Sequence, residues 1–135
     1  MGTNKLHKIL DTALYSRLVI VLWVISFITV CYLSLTPRIE FPLEFKWSDK
    51  LYHILFYLWL SLLPFFGFKG IKMAFTSAFL MVLVGIGLEF EQSFIPSRLF
   101  SITDMAANSI GVCFGVIWGR LLRSKLSGDF SVVTR

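Results

Sequence analysis

Four stretches of this chain, 18–37, 51–68, 73–88 and 105–119, contain no Asp, Glu, Lys or Arg. That spacing constrains the fold more than any motif does. The chain is 56% hydrophobic and 16% charged, whereas soluble domains carry about 25% charged residues. A soluble fold of 135 residues has no interior large enough to hide so much apolar surface. A bilayer does. A spanning helix takes about 20 residues, so four use roughly 80 and leave no room for a separate soluble domain. The sequence therefore predicts an all-α integral membrane four-helix bundle. It forms a single domain over 1–135, with spans near 18–37, 51–68, 72–90 and 104–121.

The first run is too long for the apolar region of a signal peptide, which is about 7–15 residues. No small-x-small cleavage site follows it, and Pro37 gives it a natural stop. It reads as a true span, preceded by an interfacial lead-in over 1–17. The tail from Ser124 reads as loosely ordered. Cys31 and Cys113 both lie in apolar runs, where cysteine behaves as a small hydrophobe. No disulfide and no metal-ligand cysteine spacing is expected. The net charge of +5 is scattered between the apolar runs and forms no basic stripe. Nucleic acid is therefore excluded as a partner.

Lysine and arginine placement gives the orientation. With the N-terminus inside, the inner segments hold Lys5, Lys8, Arg17, Lys69, Lys72, Arg120, Arg123, Lys125 and Arg135. The outer loops hold Arg38, Lys46, Lys50 and Arg98. Both termini are thus expected in the cytoplasm. Six carboxylates then face outward: Glu40, Glu44, Asp49, Glu89, Glu91 and Asp104. The runs 73–88 and 105–119 reach only about 22–24 Å as helices, less than a hydrocarbon core of roughly 30 Å. Glu89 and Asp104, at the ends of those runs, are drawn toward the membrane.

Three polar groups gather at the outer face. Asp49 and His53 are one helical turn apart, so the carboxylate could orient the ring. The plainer alternative is that Ser48 or Asp49 caps the second helix. Glu89 and Gln92 share a face of the third helix. An acid drawn into the membrane needs a partner, and Arg98, Lys50 and His53 are candidates. Glu91 points elsewhere. Ser101-x-x-Asp104 has the form of a capping box opening the fourth helix. Asn108, one turn deeper, needs a hydrogen-bond partner there, from Glu89 or Gln92. Arg98 could clamp an internal carboxylate or a phosphate. Below these lies a stripe of small residues, Ala107, Gly111, Gly115 and Gly119, suited to close helix packing. Its partner is either a helix of the same chain or a second copy in a homo-oligomer.

These pieces together resemble the VanZ-like family of small bacterial membrane proteins. The matching residues are Leu33-Ser34-Leu35-Thr36-Pro37, Asp49-Lys50-x-x-His53, Glu89-x-x-Gln92, Pro96-x-Arg98 and Ser101-x-x-Asp104-x-x-x-Asn108-x-x-Gly111. They cover about 33–119. Ser97 and Glu91 depart from the usual pattern, outside the shared polar set. The resemblance implies a compact four-helix membrane fold in the bacterial cytoplasmic membrane. It also implies the family's association with low-level resistance to the glycopeptide teicoplanin.

Two functional classes follow. The first is a binding role at the cell envelope. Asp49, His53, Glu89, Gln92, Arg98, Asp104 and Asn108 would form one extracytoplasmic site for a lipid headgroup, a polyprenyl-phosphate precursor or a partner protein. The second is a membrane-embedded hydrolase acting on a lipid or envelope precursor, with His53, Asp49 and Glu89 as candidate catalytic residues. His7, the only other histidine, falls on the opposite side. No HExxH or GxSxG motif is present. A proton relay lacks stepping-stones across the membrane, and His53 with Glu89 and Asp104 makes a weak zinc site. No cofactor is expected.

Overall fold

The computed structural model describes residues 2–37, 47–96 and 98–132, with side chains over 12–37, 47–96 and 98–126. Arg38, Glu40, Glu44, Lys46 and Ser97 lie outside the described residues. The chain forms α1 (Gly2–Leu35), α2 (Ser48–Leu62), a single turn α3 (Pro64–Gly67), α4 (Ile71–Gln92) and α5 (Ile102–Val132). Four segments are long and apolar enough to cross a membrane: Thr12–Leu35, Ser48–Gly67, Ile71–Gln92 and Ile102–Leu126. They span about 30–38 Å at 1.5 Å per residue, because each helix extends past its charge-free run. The lead-in over 2–17 is helical and continuous with the first span. The tail expected to be loose is helical as far as Val132.

The second span is broken near its end. Pro64 has no N–H and its ring crowds the carbonyl four residues earlier. That carbonyl belongs to Leu60, and it accepts instead from Trp23 Nε1 at 2.8 Å. The break thus creates the acceptor that ties α1 to α2. Trp59 Nε1 adds a second tie by donating to Ser26 Oγ at 3.1 Å.

Helices α2 and α5 pack closest. A Cβ added to Gly111 would strike the Ile54 carbonyl, one on Gly115 would lie 2.5 Å from the Leu58 oxygen, and one on Gly119 would lie 2.5 Å from the Phe65 ring. The small-residue stripe with Ala107 is therefore filled by α2 and α3 of the same chain. Of the two partners the sequence left open for the stripe, the glycines thus meet a helix of the same chain. Around the seam, Tyr57, Leu60, Phe65, Ala74, Ala78, Met81, Val112 and Val116 form the core, joined by Val30 from α1. Helix α1 is peripheral: only 11% of its apolar window is buried, against 39% for the second and fourth spans.

The bundle has two unlike ends. One gathers Ser34, Asp49, His53, Gln92 and Arg98 around a cleft. The other gathers Tyr15, Lys69 and Arg123. They are called the polar and basic ends below.

Candidate functional site

At the polar end, the start of α2 faces the start of α5. Helix α2 opens after Trp47, which supplies no side-chain cap, so neither Ser48 nor Asp49 serves as the cap. Asp49 lies in the first turn, where the helix dipole favours an acid. Lys50 sends its ammonium between two carboxylates. It reaches Asp49 Oδ2 at 3.2 Å and bonds Asp104 Oδ1, joining the two helix starts.

The opening of α5 explains why Asp104 is free for Lys50. Ser101 Oγ accepts the Asp104 N–H at 3.2 Å, one half of a capping box. In the full motif the third residue's carboxylate would return to the Ser101 N–H. Here Glu89 of α4 takes that place, its Oε1 accepting the Ser101 N–H at 2.6 Å. Glu89 is 1% exposed, and its partner is a backbone donor rather than the Arg98, Lys50 or His53 side chain expected. The cap of α5 is thus completed by its neighbouring helix.

Asn108 lies a turn below Asp104 and is buried. Its Oδ1 stands 2.8 Å from His53 Nδ1. Since an amide oxygen only accepts, Nδ1–H is the donor in this pairing. Nε2 lies 3.8 Å from Asp49 Oδ1 and 3.9 Å from Asp104 Oδ2. Asn108 holds the ring at hydrogen-bond distance, and Asp49, one turn before it, faces the other nitrogen at ion-pair range. Gly85 of α4 allows this arrangement: a Cβ there would come within 3.1 Å of both Asn108 and Tyr57.

Gln92 and Arg98 do a different task. Gln92 Nε2 donates to the Ser34 carbonyl at 2.8 Å, and an Arg98 guanidinium nitrogen donates to the Thr36 carbonyl at 3.0 Å. These carbonyls end α1, where no intrahelical donor remains. Arg98 meets neither a carboxylate nor Asn108 through this bond. Arg98 also borders a cleft between α1 and α2 that is lined by Asp49, His53, Tyr57 and Gln92. The cleft holds about 30 Å³, room for a water or two.

All seven predicted site residues thus fall at one end of the bundle. Asp49, His53, Asp104 and Asn108 form one cluster with Lys50, Glu89 braces it from α4, and Gln92 and Arg98 stand across the cleft. Asp49, His53 and Asp104 offer ligand atoms within 4.8 Å of one another. A divalent cation there would have to displace the Lys50 ammonium and would find a single nitrogen ligand. Lys50 is the member whose role sequence reasoning understated. Its position directly after Asp49 was the available signal.

A family model described as VanZ/LLP1 matches residues 14–123, a stretch that includes every residue of this site. The chain belongs to the VanZ/LLP1 family. With its four apolar helices, it is a multi-pass membrane protein of the VanZ-like class. An uncharacterized protein of the fission yeast Schizosaccharomyces pombe is 26% identical over 102 residues, covering 73% of this chain. The chain spans 60% of the length of that relative. No solved structure matches the chain.

Proposed function

We propose that this VanZ-like protein binds the phosphate-bearing headgroup of a membrane lipid at its polar end. The observation behind the proposal is that Arg98 and Asp49 border the same cleft. Arg98 is anchored by one bond to Thr36 and keeps further donors for a phosphate. Asp49, with its side chain 59% exposed, repels a bare phosphate and attracts an amine. A zwitterionic headgroup such as ethanolamine phosphate satisfies both groups. A polyprenyl phosphate would meet the same guanidinium without the amine contact and ranks below it. The distribution of lysine and arginine supports an extracytoplasmic polar end and cytoplasmic termini, as in a cell-envelope protein of the bacterial inner membrane. The link to teicoplanin resistance rests on the family resemblance alone.

The test is the lipid that co-purifies with the chain from a membrane of mixed composition, read by native mass spectrometry. Arg98→Ala should lose the zwitterionic lipid, and Asp49→Asn should shift the preference toward anionic lipid. A bound-lipid profile unchanged in both variants would sink the reading. Orientation is checked separately by labelling Ser93→Cys with a membrane-impermeant maleimide in intact cells.

One observation favours a second reading, a hydrolase acting on the bound headgroup. With Nδ1 held by Asn108, His53 turns Nε2 toward Asp49 and Asp104, a placement suited to acid–base chemistry. Glu89, the other candidate, has one carboxylate oxygen committed to the Ser101 N–H. In this reading His53→Ala retains the lipid but no longer releases its headgroup in vesicles.

A further inference from the structure

We propose that a second lipid site lies at the basic end, where the groove between α1, α3 and α5 holds an anionic phospholipid. The groove is open, about 590 Å³ in volume, and mostly apolar. Tyr15 of α1 forms one wall, Phe66 and Phe68 another, and Leu126 of α5 the third, with Lys69 and Arg123 at the rim.

The charge at this rim is the decisive feature. The guanidinium of Arg123 donates to the Phe65 carbonyl at 3.1 Å, to Phe68 at 2.8 Å and to Lys69 at 2.5 Å. Those carbonyls close the broken end of the second span, where the chain turns toward α4. The bonds use three of the five N–H donors of Arg123, but their acceptors are neutral, and no carboxylate among the described residues cancels its positive charge. Lys69 is exposed and forms no ion pair among the described residues. The polar end differs, since Lys50 there is answered by two carboxylates.

An uncancelled cation beside an apolar hollow selects an occupant with both an anion and a hydrocarbon. A free inorganic anion gains nothing from Phe66, Phe68 and Leu126. A neutral lipid gains nothing from Lys69 and Arg123. An anionic phospholipid satisfies both, its phosphate at the rim and an acyl chain along the aromatic wall. Basic residues near a membrane surface favour anionic lipid by an amount equivalent to about fivefold in affinity each.

The test uses the full chain, titrated with phosphatidylglycerol or phosphatidylcholine in nanodiscs and read by native mass spectrometry. Phosphatidylglycerol should be retained in preference, and Lys69→Gln should weaken that retention about fivefold. Lys72→Gln, which removes an equal charge from outside the groove, should change it less than twofold. Lys69 is exposed, so the variant keeps the fold. Three results would each overturn the proposal: equal retention of the two lipids, equal loss in both variants, or displacement by inorganic phosphate. Arg98→Ala should leave this retention intact, which separates the site from the one at the polar end.

Discussion

The two ends of the bundle hold their charges by opposite means. At the polar end, Lys50 meets side-chain carboxylates of Asp49 and Asp104, and its charge is answered where it stands. At the basic end, Arg123 meets backbone carbonyls, and among the described residues no carboxylate answers its charge. The first arrangement stiffens the junction of α2 and α5 and leaves function to what borders the cleft. The second repairs a helix break and leaves a field in front of it. An arginine hydrogen-bonded to carbonyls is thus not a neutralised arginine.

Both ends depend on the α2–α5 seam, so the largest effect should come from prying it apart. Gly115→Leu places a side chain against the Leu58 carbonyl and should cost at least about 3 kcal/mol. Thermal unfolding in detergent would show it as a large loss of midpoint. Gly87→Ala, which meets nothing within 4 Å, is the control. If the two variants melted alike, the ends would be independent of the seam. Arg123→Ala comes next. It strips the donors from the broken end of the second span, at about 2–3 kcal/mol for a charged hydrogen-bonding group. Arg123→Lys should recover part of that, because a single ammonium cannot span the same carbonyls.

The polar-end counterpart is Glu89→Ala. It leaves the part-buried Ser101 N–H without its acceptor and should cost about 1–3 kcal/mol. Glu89→Gln keeps an oxygen in place and should restore most of the stability. Failure of that rescue would mean that the charge matters rather than the bond. The smallest effect is expected from Asn108→Leu, about 1 kcal/mol in a membrane setting. Its clearer readout is the ring nitrogen shifts of His53 by NMR, which should lose the fixed Nδ1–H form. The chain has 2 histidines, so the signals can be assigned by a single His7 substitution.

Much of this was legible in the sequence. Charge-free runs gave four spans because hydrocarbon tolerates no other composition over that length. The 107–119 stripe announced close packing because small residues at one-turn spacing make one smooth face. What periodicity does not contain is which helix lies opposite, and so the stripe left a second copy open. Glu89 went wrong in a different way. Its partner is a main-chain N–H, and a reading that matches side chains to side chains does not see backbone donors. Arg98 and Gln92 were missed as helix-end caps for the same reason. The break at Pro64 had a visible signal, a proline inside an apolar run, which hydropathy alone passes over.

The peripheral position of α1 has a consequence for the cleft. One wall of the cleft belongs to α2, locked to α5 with no space for a single added carbon at the glycines. The other belongs to α1, little buried and held at this end by Gln92 on Ser34 and Arg98 on Thr36. Swinging α1 outward breaks those two bonds and leaves Lys50–Asp104 and His53–Asn108 whole. The cleft thus has one wall fixed by close packing and another held at this end by two side-chain bonds to the last carbonyls of α1. Under the proposed function, the Arg98 that would meet a phosphate is also one of those two ties.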